Sequence, residues 1–270
     1  MNEIQKNSVI DEERARAFSR YEKLIIKRDQ LEKEAEICEM LYYNEFGELS
    51  VDLFHKKIEC ISWKKIISYC QAAANTGQAI REDELDTYIG NSMEEYQEQL
   101  KNLIDMKNES ENIRTSPIYI VEKSKRKYRE IARMIHPDLH PEFADSTYFR
   151  NLWEAAAGAY RRNDLTRLEE IETLARAALL RRGGAADLPE LSNIKDRISA
   201  VQNDINRITS TDPYLYKFLL DDPDAAADRK KDLETDLGEY TSYGLMLEGV
   251  LTEMMGREFV NAWKMKMQMD

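Results

Sequence analysis

Glycine and proline are scarce, at 10 and 6 in 270 residues. So few obligatory turns in so long a chain call for long elements. Cysteine is scarcer still: Cys38, Cys60 and Cys70 stand alone, with no Cys-x-x-Cys. That excludes a disulfide framework and fits a reducing cytoplasm. No apolar run approaches the roughly 20 residues of a membrane helix, and the first residues hold no apolar signal core. A soluble, cytoplasmic chain with no membrane partner is therefore expected. Positive charge is in deficit, 39 Lys and Arg against 51 Asp and Glu, for a formal charge of -12. Nonspecific binding to nucleic acid is disfavoured by that sign. The chain also lacks a phosphate loop, a Gly-x-Ser-x-Gly, a His-Glu-x-x-His and any local nucleophile–base pair. No enzyme activity, catalytic residue or cofactor is expected.

What the sequence does have is helical periodicity. Ala17, Tyr21, Leu24, Leu31, Ala35, Cys38 and Tyr42 recur at steps of three and four, with Arg28 interrupting, and predict one helix over about 11–43. Asn44 to Gly47 reads as a break. Phe54, Ile58 and Ile61 mark a second helix over about 50–74, stopped by Asn75-Thr76-Gly77. Leu85, Ile89, Tyr96, Leu100 and Leu103 mark a third, over about 83–108. Gly183, Gly184 and Pro189 read as a linker. Beyond it lie two seams, from Leu191 to Ile208 and from Leu233 to Met254, with Gly244 filling one position of the second. They read as an antiparallel helical hairpin. No strand-like alternation persists, so the expected fold class is all-α, with long helices and coiled-coil hairpins. The expected regions are 1–113, a long-helix and coiled-coil part; 114–182, of different texture; and 183–270, the C-terminal hairpin.

The central region carries the most specific pattern. A helix starting near Ser116-Pro117 leads into Tyr128-Arg129-Glu130-Ile131-Ala132-Arg133-Met134-Ile135-His136-Pro137-Asp138. Tyr128, Ile131, Ala132 and Ile135 form its apolar side. Lys123, Lys125, Arg126, Lys127, Arg129 and Arg133 make the other side basic, against only Glu122 and Glu130. Pro137 must end the helix, since the residue before proline is pushed out of helical geometry. His136 and Asp138 are then expected to project from an exposed turn. A following helix, about 146–162, places Trp153, Ala156, Ala159 and Tyr160 on one side.

This stretch resembles the J domain of the DnaJ family, whose second helix ends in Tyr-Arg-x-Leu-Ala-x-x-x-His-Pro-Asp. Tyr128, Arg129, Ile131, Ala132, His136, Pro137 and Asp138 fall at the matching positions. Trp153, Ala156, Ala159 and Tyr160 match the family's Phe-x-x-Ile-x-x-Ala-Tyr, with departures at the first two. The resemblance covers about 117–160. A first-helix signature is absent just upstream, and Asn163 or Asp164 opens a new helix where the family has a short fourth one.

The resemblance implies a co-chaperone or chaperone-recruiting adaptor. Its partner would be a DnaK-type ATPase chaperone, met by His136, Pro137 and Asp138 and by a docking face of Lys123, Arg126, Lys127, Arg129 and Arg133. Basic residues there suit an acidic partner surface. A client or a second copy of the chain would occupy the helical arms. Two alternatives stay open: a non-catalytic coiled-coil scaffold with a degenerate J-like domain, and a nucleic-acid binder, which the net charge opposes. His136 and His140 are four apart, but Pro137 and Pro141 deny them a shared helix face, so no metal site is expected.

Overall fold

A computed structural model describes residues 3–111, 116–182 and 193–269, and these form an all-α protein. No strand occurs among the described residues. The helices are α1 (Glu3–Thr76), α2 (Glu82–Glu111), α3 (Ile118–Ile135), α4 (Thr147–Arg161), α5 (Leu165–Arg181), α6 (Ile194–Ser210), α7 (Tyr216–Leu220), α8 (Pro223–Met255) and α9 (Arg257–Met269). A short 3-10 turn spans Pro141–Phe143. The expected linker over Gly183 to Pro189 lies outside the described residues. No helix is long and apolar enough to cross a membrane, among the described residues.

The first two expected helices are one. α1 runs without interruption through Asn44-Glu45-Phe46-Gly47. The tetrapeptide holds no proline, and each residue with a turn preference is tied into packing. Phe46 is fully buried with Tyr42, Leu53 and Leu233. Asn44 donates from Nδ2 to the Ser110 carbonyl of α2 at 3.3 Å. At Gly47, a Cβ would lie 2.9 Å from the Lys107 Cγ, so glycine serves a close approach of α2 and not a helix stop. The true stop is Gly77, at φ +68°.

Two compact units divide the chain. The first takes α1 up to Ile37 and α3 to α6, ending at Leu215; the second takes α1 from Cys38, α2, and α7 to α9. This partition follows contact, not chain order, and differs from the regions 1–113, 114–182 and 183–270.

In the first unit, α3, α4 and α5 share a core of Tyr128, Ile131, Ile135, Phe149, Leu152, Ala156, Ala159, Tyr160, Leu168, Ile171 and Ala175. Asp164 caps α5 by accepting from the Arg167 N–H at 3.0 Å. A second cluster joins Tyr21 and Ile25 of α1 to Leu139 and to Ile198, Val201 and Ile205 of α6. In the second unit, Cys60, Trp63, Ile66 and Cys70 of α1 pack with Leu85, Ile89 and Met93 of α2, Leu247 and Leu251 of α8, and Val260 and Trp263 of α9. Gly244 of α8 is buried there, its Cβ position 3.5 Å from the Cys60 Sγ. Tyr216 stacks on Tyr42 at 4.1 Å, which seats one of the aromatics between Pro213 and Pro223.

Candidate functional site

Tyr128, Ile131, Ala132 and Ile135 are all buried, as their three-four spacing dictates. α3 ends at Ile135, and His136 turns extended at ψ 128° ahead of Pro137. The turn closes on His136 itself: its carbonyl accepts from the Leu139 and His140 N–H groups at 3.0 and 2.8 Å. Asp138 donates its N–H to the His136 Nδ1 at 2.9 Å. With Nδ1 accepting, the ring proton sits on Nε2.

Tyr128 stacks on Tyr160 at 4.1 Å, and just past the end of α3 His136 meets Trp153 at 4.3 Å. The end of α3 thus meets an earlier part of α4, so the two helices run in opposite directions. Ala156 and Ala159 are fully buried between them and α5, and Trp153 is half-buried.

The turn is exposed only in part: Pro137 is exposed and Asp138 half-buried, but the imidazole does not project as the sequence suggested. His136 is only 3% accessible. What covers it is α1, through two adjacent residues that a seam reading treats as an interruption and a flank. The Asp29 carboxylate lies 3.3 Å from the His136 Nε2 and accepts from the Tyr128 hydroxyl at 2.9 Å. Arg28 donates to Asp29 at 2.9 Å through one guanidinium nitrogen and to Asp138 at 2.9 Å through another. Asp138, still 41% accessible, is the most open member of the tripeptide's two ionisable side chains.

The charges in this clasp hold one another. Burial works to raise the Asp29 carboxyl, but the His136 hydrogen bond and Arg28 outweigh it and keep the group below the usual aspartate range. Burial likewise opposes the Arg28 cation, and Asp29 and Asp138 more than offset it, so arginine is held more firmly protonated than usual. Burial and the Asp29 charge push the Tyr128 phenol well above its ordinary range, and burial pushes Tyr160 up to about 12.

The clasp extends along α1. Glu22 pairs with Arg133 at 2.6 Å, Gln30 accepts from Arg129 at 3.3 Å, and Glu36 pairs with Arg161 at 3.1 Å. Lys33 is buried and donates to the Tyr160 carbonyl at 2.7 Å and to the Asn163 side chain at 2.6 Å, with its ammonium 3.9 Å from the Tyr160 ring centroid. It satisfies a carbonyl at the C-terminal end of α4, where a cation is favoured. Its burial pushes the amine down to about 8. A cleft of about 280 Å³ remains beside Arg28, Asp29, Lys33, His136, Asp138 and Trp153.

The expected docking cations thus divide. Arg129 and Arg133 face α1, and Lys127 reaches Glu172 of α5 at 2.5 Å. Lys123 lies 6.0 Å from the Tyr119 ring centroid, and Arg126, largely exposed, comes only within 4.0 Å of Glu130. His140 is buried, with Nε2 on the Arg133 carbonyl at 2.7 Å and Nδ1 on Glu142 at 2.9 Å. Each ring nitrogen of His136 thus has a polar neighbour, the Asp138 N–H on Nδ1 and the Asp29 carboxylate 3.3 Å from Nε2. The arrangement is built to hold α1 against the hairpin.

Comparisons with known proteins add no relative to this geometry: no family model, no curated protein and no solved structure matches the chain.

Proposed function

We propose that the chain is a non-catalytic helical scaffold, an interaction protein in which a J-like α3–α4 hairpin serves as the seat for its own α1. The observation that carries this reading is the burial of His136 beneath Asp29. A partner that needed the imidazole, Tyr128 and Arg129 would meet α1 already there. Long amphipathic helices with mixed-charge outer faces suit a scaffold, because they offer many shallow contact surfaces without a reaction centre.

A second reading keeps the chaperone-recruiting role, with α1 as a removable cover. Two observations favour it. The run from Tyr128 to Asp138 follows the J-domain pattern at full spacing. The seat is also imperfect: the Arg129 Nε and the Gln30 Nε2 are buried without a hydrogen-bond partner. Unpaired buried donors weaken the cover at that point.

One assay separates the two. ATP turnover of a DnaK-type chaperone is measured with the whole chain and with a variant carrying Glu22→Arg and Arg28→Glu, which sets like charges against Arg133 and Asp138. The scaffold reading expects no acceleration from either protein. Acceleration by the variant, abolished by a further His136→Gln, would replace it with the removable-cover reading. Acceleration by the unaltered chain would overturn the idea that α1 blocks the site at all.

A further inference from the structure

α2 is fastened to α1 near both of its ends. Toward the C-terminal end of α2, the Ser110 carbonyl accepts from Asn44 and Lys107 presses on Gly47. Toward its N-terminal end, Tyr88 packs on Tyr69 at 5.7 Å, and Leu85 and Ile89 share a core with Trp63 and Ile66. The two helices therefore run antiparallel. Between these contacts they part around a cleft of about 1040 Å³, bordered also by Trp263 and Met267 of α9. Along α2 the cleft extends from Asp86 to Ile104, roughly 27 Å at 1.5 Å per residue. It lies wholly within the second unit.

Three features of the cleft select its occupant. The first is shape. Ile58, Ile89, Met93 and Leu100 line it with the two α9 residues. Helices in contact at both ends do not part midway by the roughly 10 Å that a third helix needs. An extended acyl chain, about 15 Å long in one leaflet of a bilayer, fits with length to spare for a head. The second is a buried hydroxyl. Ser62 is 4% accessible, borders the cleft and has no hydrogen-bond partner, among the described residues. Buried polar groups in native folds are ordinarily satisfied, so this donor calls for a ligand oxygen. The third is an unmatched cation. Lys56 is paired with Glu59 at 2.6 Å, Lys264 with Glu248 at 2.6 Å and Lys266 with Asp86 at 2.7 Å. Lys101 borders the cleft without an ion pair, among the described residues. Glu98, one turn earlier on α2, also borders it and does not pair with Lys101. The antiparallel course sets His55 near Lys101, toward the Gly47 end.

We propose that this cleft binds a single-chain anionic lipid of the lysophospholipid class. The phosphate meets Lys101 and His55, the ester carbonyl accepts from the Ser62 hydroxyl, and the acyl chain lies along Met93, Ile89 and Trp263. His55 and Ser62 are seven residues apart, roughly 10 Å along α1, which leaves space for the glycerol between phosphate and ester. Contact between α1 and α2 at both ends of the cleft suits a single monomeric lipid and not a bilayer surface.

Calorimetric titration of the full chain with palmitoyl lysophosphatidic acid, kept below its micelle concentration, tests this. Saturable binding of one lipid per chain is expected. Gly90 borders the cleft, and a Cβ there would meet nothing within 4 Å. Gly90→Leu therefore fills the space without a clash and favours the helix. It should abolish binding with circular dichroism unchanged. Lys101→Glu should weaken lysophosphatidic acid about tenfold. It should leave monopalmitoylglycerol, which keeps the chain and ester but lacks the phosphate, unaffected. Ser62→Ala should weaken both lipids. The proposal is overturned by an absence of binding, by binding that survives Gly90→Leu, by undiminished binding in Ser62→Ala, or by Lys101→Glu treating the two lipids alike. Equally tight binding to vesicles of diacyl phosphatidic acid would overturn it in favour of a membrane surface. None of these outcomes depends on the chaperone assay, so this reading and the proposed function fail separately.

Discussion

α1 is one helix held in two different ways. Between Glu22 and Glu36 its buried face is mixed: Ile25, Ile26 and Ala35 are buried beside Asp29 and Lys33, and Arg28, Asp29 and Lys33 meet Asp138, His136, Tyr128 and the end of α4. Between Cys60 and Cys70 it is apolar: Trp63, Ile66 and Ile67 meet α2, α8 and α9. Both stretches are well buried, but they resist change differently. Apolar packing falls with area and volume, whatever the pH. A buried ionic network is specific in direction and depends on every member keeping its charge.

The largest contrast should come from truncating one residue on the apolar side. Trp63 is fully buried, and its indole Nε1 finds no hydrogen-bond partner. Its contribution is therefore volume. Trp63→Ala should cost about 3–5 kcal/mol, seen as a lower midpoint in urea with little dependence on pH between 4 and 8. Trp63→Phe should be far milder, because it keeps much of the volume and removes the unpaired N–H. If the two variants were equally damaging, a hidden polar role for the indole would be indicated and the contrast between the two stretches would fail.

Much of this protein can be read in its sequence. Scarce glycine and proline give the helical class, and the apolar spacing of α3 and α4 gives a shared core containing Tyr128, Ile131, Ala156 and Tyr160. What fails does so for definite reasons. Asn44 to Gly47 looks like a turn because Asn and Gly prefer turns, but local preference yields when Phe46 is buried and Lys107 presses on Gly47. A seam shows which face is buried and leaves the burying partner open. The seams at Ile198 to Ile205 and at Leu233 to Leu251 are each buried against their own stretch of α1. At the candidate site, a helix stop before proline predicts a turn and says nothing about a cover. The cover was nonetheless marked. Arg28 breaks an otherwise regular apolar seam, and a charge at a seam position calls for a buried partner of opposite sign.

On the polar side, Asp29→Ala should come next in effect, at about 3 kcal/mol. It strands the Tyr128 hydroxyl, the His136 Nε2–H and part of the Arg28 guanidinium at once. Asp29→Asn keeps the shape and tests the charge alone. The folded carboxyl lies below its ordinary 3.8, so its stabilisation is complete above about that pH and is lost as pH falls through the lower folded value. Glu172, between Lys127 and Arg176, is lowered in the same sense and adds to the acid loss. Stability measured from pH 6 down to 2 should therefore fall less steeply in Asp29→Asn than in the unaltered chain, with the residual slope due partly to Glu172. Parallel slopes would mean that Asp29 is not the charge that fixes α1 on the turn.

The smallest effect tests where the clasp ends. Glu22 and Arg133 are 2.6 Å apart, as close as any pair along α1, but the Arg133 side chain is 56% accessible. Water solvates it in both the paired and unpaired states, and side-chain entropy offsets much of what contact gains. Glu22→Gln should lower stability by no more than about 0.5 kcal/mol, and that difference should vanish at high salt, where the Debye length shrinks to about 3 Å. Asp29→Ala should keep most of its cost in the same salt, because the pair it breaks is shielded from ions. Salt thus divides α1's polar stretch into a buried centre at Arg28 and Asp29 and a solvated fringe at Glu22. If both variants responded equally to salt, the burial of Asp29 would not be what distinguishes the turn from any exposed ion pair.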